Sequence, residues 1–66
     1  MKNLPEPQFE IYKDTATPPQ FRWRLRAENT QIIAVSGEGY VSKQGCQDGI
    51  ASVKENVPKA KTVDLT

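Results

Sequence analysis

Phe21-Arg22-Trp23-Arg24-Leu25-Arg26-Ala27 alternates apolar and cationic side chains without a break. A side-chain period of two belongs to extended chain, because successive Cβ atoms point to opposite faces. The stretch therefore predicts a strand with Phe21, Trp23, Leu25 and Ala27 on one face and Arg22, Arg24 and Arg26 on the other. Upstream, residues 9–13 alternate in the same way, with Phe9 and Ile11 on one face and Glu10 and Tyr12 on the other. The connection at residues 14–20 is rich in turn formers, and Pro18 and Pro19 exclude both helix and ladder bonding. Downstream, Glu28-Asn29-Thr30 is a short polar link in which asparagine tolerates a left-handed backbone, which suits a hairpin. A third strand follows over residues 31–36. Its continuous apolar run, Ile32, Ile33 and Val35, leaves its inward register open.

The period then changes. Gly37-Glu38-Gly39-Tyr40 places two glycines one residue apart, which suggests backbone angles that a side chain would not permit. We expect a structural turn there, placing Tyr40 and feeding a helix with Ser42 as its N-cap. Cys46, Ile50, Val53 and Val57 are spaced by four, three and four, one apolar stripe of a helix laid on a sheet. Gly45 and Gly49 each weaken such a helix by about 1 kcal/mol relative to alanine, a cost that close approach to the sheet would justify. Asn56 and Pro58 predict its end. Residues 62–66, Thr-Val-Asp-Leu-Thr, alternate again and predict a last short strand. The expected order is β-β-β-α-β, an α+β unit whose antiparallel meander carries one helix. Residues 1–8, with Pro5 and Pro7, form an extended or flexible arm. Residues 9–66 form one domain without an internal repeat.

At 66 residues a domain buries only about 60% of its unfolded surface. Just 36% of the residues are apolar, so the core is thin. Small domains usually compensate with disulfides, a metal or association. A single cysteine and no histidine remove an internal disulfide and a Cys/His zinc site, leaving association between chains. The lack of histidine also excludes Ser-His-Asp and Cys-His catalysis. A two-carboxylate mechanism would need a cleft that so thin a domain hardly forms. Nine basic and eight acidic residues give a net charge of +1, too weak to steer the whole molecule toward nucleic acid or an anionic membrane. No apolar run reaches transmembrane length, and Met1-Lys2-Asn3-Leu4-Pro5 lacks the apolar core of a signal peptide. A cytoplasmic protein with a reduced thiol is the expectation.

Several separated motifs, in order, carry a resemblance. Phe9-Glu10-Ile11-Tyr12-Lys13-Asp14, Phe21-Arg22-Trp23-Arg24-Leu25, Ser36-Gly37-Glu38-Gly39-Tyr40, Ser42-Lys43, Gly49-Ile50, Val53-Lys54 and Asn56 are similar to the YegP-like family, small bacterial and archaeal proteins of unknown function. The likeness runs from Phe9 to about Ala60. It implies a β3-α-β unit intertwined with a second copy, so that the strands form one antiparallel meander. A single-copy chain would then be a homodimer, whereas other members carry two copies in tandem. The proline-bearing loop at Pro18-Pro19 and the arm at residues 1–8 depart from the pattern.

The resemblance brings no activity, so function must come from the residues. Arg22, Arg24 and Arg26 are the candidate polyanion-binding groups. Against that stands an ordinary sheet face whose arginines pair with Glu10 or Glu28 and cover Tyr12. Gly37, Glu38, Gly39 and Tyr40 lack the lysine and Ser/Thr of a phosphate loop and are expected to be structural. Cys46, on the apolar stripe, is expected to act as a small buried hydrophobe rather than a redox thiol. Phe9, Ile11, Phe21, Trp23, Leu25, Val35, Cys46, Ile50 and Val53 are expected in the core or a dimer interface. The preferred reading is a noncatalytic homodimeric binding or structural module without cofactor, metal or membrane. The alternative is a small nucleic-acid-binding protein using the arginine face.

Overall fold

A computed structural model describes residues 6–66. The alternating stretch forms the central strand of an antiparallel sheet ordered β1-β2-β3, with β1 at Gln8–Lys13, β2 at Phe21–Arg26 and β3 at Ile32–Val35. The β1–β2 register sets Phe9 opposite Leu25, Glu10 opposite Arg24, Ile11 opposite Trp23 and Tyr12 opposite Arg22. The inner face thus carries the apolar pairs, with Lys13 opposite Phe21 at the strand end, and the outer face the charged and aromatic pairs. β2 meets β3 through Arg24–Val35 and Leu25–Ala34, with an irregularity between Leu25 and Arg26. This register settles the third strand: Ala34 faces inward and Val35 shares the outer face with Arg24.

The β2–β3 hairpin closes through Ala27 N–H donating to the Gln31 carbonyl at 2.8 Å and Thr30 N–H donating to the Ala27 carbonyl at 2.9 Å. Its left-handed residue is Thr30, at φ 70°, and not Asn29. Asn29 contributes through its side chain instead, Oδ1 accepting from Gln31 N–H at 3.1 Å.

Ser42 caps the helix as its sequence position implies. Its Oγ accepts from Gly45 N–H at 3.0 Å, opening α1 over Lys43–Asn56. Pro58 does not stop the chain at once. It occupies an early position of a 3-10 turn over Val57–Lys59, where a missing N–H is tolerated. The helix packs on β2, burying Cys46 and Ile50 against Trp23, with Phe9, Phe21, Ala34, Tyr40 and Val53 partly buried around them. Phe9 meets Trp23 edge-on, with ring centroids 5.5 Å apart. The Trp23 Nε1 is buried and has no hydrogen-bond partner among the described residues, a cost of about 1–3 kcal/mol that ring burial must offset.

The glycines work differently from the expectation. No glycine has positive φ among the described residues, so residues 37–40 are not a turn demanded by backbone angles. Gly39 is required by packing, since a Cβ there would overlap the Gln20 side chain, its Cβ at 2.9 Å. Gly49 admits the Tyr40 ring rather than the sheet surface: a Cβ would overlap Tyr40 Oη and lie 2.8 Å from Cζ. Tyr40 itself is tied to the sheet by two 2.8 Å backbone hydrogen bonds with Phe21.

The last predicted strand is absent from the sheet. After Ala60, which is extended at φ −77° and ψ 133°, residues 61–66 form no regular element, and Val63 and Leu65 are 60% and 90% exposed. A strand needs an edge to pair with, and this segment pairs with neither β1 nor β3 of its own chain.

Candidate functional site

Two surfaces carry chemistry. The outer sheet face is charged, and at its centre Glu10 accepts from Arg24 Nε at 2.7 Å and from Arg26 Nε at 3.2 Å. Arg26 also donates through Nη1 to the Thr30 carbonyl at 2.6 Å, joining the strand to the hairpin. The hydrogen bonds from Arg26 and Arg24, with a further one from Gln8, hold the Glu10 carboxyl down at about 2. Arg24 lies over the Tyr12 ring at 4.9 Å.

Arg22 is anchored elsewhere. Its Nε donates to Asp14 Oδ2 at 2.8 Å, while Asp14 Oδ1 accepts from Gln20 N–H at 2.9 Å and Ala16 N–H at 3.1 Å. One carboxylate thus gathers both ends of the proline-bearing loop. Those bonds, the Gln20 N–H first and the Arg22 guanidinium next, keep its carboxyl below the usual aspartate range. Sequence alternation does not reveal Asp14, although an aspartate opening a proline-rich turn is the signal that could have found it.

The three arginines therefore share a face, yet none is a free cation: their side chains are 33%, 35% and 30% exposed and each is in an ion pair. The cross-strand partner is Glu10, with Asp14 in the place considered for Glu28. Three guanidinium groups meeting two carboxylates give a nearly neutral surface, unlike the unpaired basic stripe that supports polyanion binding. On the same face Val35, opposite Arg24 and 59% exposed, borders the charges.

The second surface is an apolar groove of about 250 Å³ between the β1–β2 pair and the end of α1, lined by Phe9, Leu25, Val53, Lys54, Val57 and Pro58. The Lys54 ammonium lies 5.6 Å from the Phe9 ring centroid. Phe9, Leu25 and Val53, expected in the core or a dimer interface, wall this groove, and Phe9 and Val53 also pack against the buried cluster. The contributions of Lys54 and Pro58 escape a reading of helical stripes, because one is polar and the other lies past the helix.

Cys46 is fully buried, and that burial pushes its thiol above the ordinary value, which disfavours the reactive thiolate. Ile11 sits at the exposed edge of the inner face, 36% accessible. Among the described residues no three His, Cys, Asp or Glu side chains gather into a group able to hold a metal. No helix among them is long and apolar enough to cross a membrane.

The chain has clear relatives. A family model described as "Domain of unknown function (DUF1508)" matches residues 16–64. A UPF0339 protein of Treponema denticola is 52% identical over 58 residues, covering 88% of this chain and 95% of that protein. A UPF0339 protein of Methanosarcina acetivorans is 53% identical with the same coverage. A "UPF0339 protein in ptx operon 5'region" of Stutzerimonas stutzeri is 54% identical over 50 residues, which span 76% of this chain but only 42% of that protein. An NMR solution structure of a protein from Haloferax volcanii superposes with a TM-score of 0.80 at 44% identity, covering 89% of this chain and 95% of the other.

Proposed function

Because this chain belongs to the family described as Domain of unknown function (DUF1508), we propose that it acts as a noncatalytic self-associating module, complete only as a homodimer whose sheets are intertwined. The observation that carries this reading is the size of the interior. Among the described residues only Trp23, Cys46 and Ile50 are buried apolar residues, while Ile11, Ile32, Ile33, Val35, Val41, Val57, Val63 and Leu65 are exposed. Fully burying one such side chain contributes about 1.5–3 kcal/mol, so a second copy has ample apolar surface to cover.

Two further features support it. Among the described residues both β1 and β3 are edge strands, each with backbone groups suited to strand addition. The match to only 42% of the Stutzerimonas stutzeri protein leaves length there for a second unit, in keeping with the tandem arrangement implied by the YegP-like resemblance. The buried free thiol of Cys46 suits a reducing cytoplasm.

Light scattering and sedimentation over a range of low micromolar concentrations test the reading. A mass of twice 7.4 kDa is the expected result. A monomer mass together with a folded circular-dichroism spectrum sinks it.

A further inference from the structure

We infer that the outer sheet face binds a single phosphoryl group, an inorganic phosphate or the phosphate end of a monoester, between the guanidinium ends of Arg22 and Arg24. Self-association is not required for it. The ion pairs on this face engage these two side chains through one nitrogen each. Arg22 donates from Nε to Asp14 and Arg24 from Nε to Glu10, and among the described residues neither Nη1 nor Nη2 of either side chain has an acceptor. Arg26 differs: its Nε and Nη2 donate to Glu10 and its Nη1 to the Thr30 carbonyl, so its own fork is occupied. A guanidinium held at Nε keeps its Nη1/Nη2 fork for another acceptor, in an orientation fixed before the ligand arrives. The anchoring carboxylates also lie deeper than the groups they hold: the side chains of Asp14 and Glu10 are 16% and 24% exposed, against 33% and 35% for Arg22 and Arg24.

Charge and placement favour a phosphoryl group over other anions. Arg24 and Arg26 share one carboxylate, Glu10, which Arg26 engages through two nitrogens, whereas Asp14 pairs with Arg22 alone. Three guanidinium groups against two carboxylates leave one positive charge, and Arg24 is where it is least compensated. One surplus charge suits one ligand and not a chain of phosphates. Arg22 and Arg24 are two residues apart on β2, about 7 Å between Cα atoms. Tyr12 stands between them, opposite Arg22 in the register and with its ring 4.9 Å from the Arg24 guanidinium carbon. A carboxylate fills one fork with its two oxygens. A phosphate monoester has three terminal oxygens and a charge of about −1.5 to −2 at neutral pH, so it can accept from both forks at once. Because α1 packs on the inner face, it does not obstruct approach to this one.

NMR titration of the isotope-labelled full chain at about pH 7.5, where phosphate is mostly a dianion, tests the site. Inorganic phosphate, glycerol 2-phosphate and, as the planar anion, acetate are added in separate arms, with ionic strength held constant by sodium chloride. The Nε–H resonances of Arg22 and Arg24 should follow saturable curves with millimolar Kd for the phosphates, and acetate should bind about tenfold more weakly. Saturation by both phosphates extends the site to monoesters, and saturation by inorganic phosphate alone supports it with the free ion as ligand. Arg24→Gln and Arg24→Lys should each weaken phosphate binding by about tenfold or more, the second because it keeps the charge and removes the fork. Lys43→Gln, on the helix at the other face, should bind as the wild type does. Circular dichroism checks that each variant is folded, and the wild type decides without any substitution. No saturable shift up to about 50 mM phosphate, or acetate binding as tightly as phosphate, overturns the site. Undiminished binding by folded Arg24→Lys overturns the role of the fork.

Discussion

Replacing Gly49 by alanine should weaken this fold although alanine is the better helix former. In an exposed helix interior the exchange would stabilise by about 1 kcal/mol. Here the new methyl would overlap Tyr40 Oη and lie 2.8 Å from Cζ. Tyr40 has little room to yield, because both its N–H and its carbonyl are bonded to Phe21 at 2.8 Å. Overpacking of this kind costs about 1–3 kcal/mol, so the net effect is a loss of up to about 2 kcal/mol. In a domain of this size each kcal/mol lowers Tm by about 4–8 °C. Gly45 is the control: the nearest atoms to a Cβ there are Ser42 Oγ at 3.3 Å and Tyr40 Cδ1 at 3.7 Å, so Gly45→Ala should keep much of the helix gain. Urea and thermal unfolding followed by circular dichroism, at one fixed protomer concentration, measure both. Adding Tyr40→Phe removes the overlapping oxygen and should recover part of the Gly49→Ala loss, giving a nonzero coupling in the double-mutant cycle. If Gly49→Ala stabilises as much as Gly45→Ala, the steric argument is wrong.

Two other perturbations follow from the hydrogen bonds. The Glu10 carboxyl is lowered from 4.5 to about 2, so its contribution to stability is fully present above about 4.5 and is lost as pH falls toward 2. Glu10→Gln should therefore flatten stability against pH in that window relative to wild type, and parallel curves in an acid titration would refute the assignment. Ser42→Ala removes the acceptor for Gly45 N–H and should cost about 1 kcal/mol in urea denaturation, whereas Ser42→Asp should retain most of that.

What the sequence revealed was local in origin. β2 and α1 are legible because their periods, two and near 3.6, are written in consecutive residues. The pairing of Arg24 and Arg26 with Glu10 follows from the same period once two strands lie side by side. Long-range causes were less visible. Gly39 and Gly49 are glycines because of Gln20 and Tyr40, not because of their own backbone angles. Thr30 carries the positive φ where Asn29 seemed better suited, since the Asn29 side chain is engaged with Gln31. The final strand is the clearest case. Residues 62–66 have the alternation of a strand, but alternation describes side chains and says nothing about whether a backbone edge is within reach. The groove draws four of its six lining residues from the helix end and the turn beyond it, and of these only Val53 and Val57 lie on the apolar stripe.

On the self-association reading, the two edges of the sheet and the exposed Val63 and Leu65 are what a lone copy of this chain leaves unmatched. A copy without a counterpart would then carry both a template for indiscriminate strand pairing and surface that proteases and chaperones engage. Supply then matters as much as stability. A cell making few copies would keep much of the protein in the vulnerable form, whereas a chain carrying two units in succession holds its counterpart at an effective concentration that dilution cannot lower.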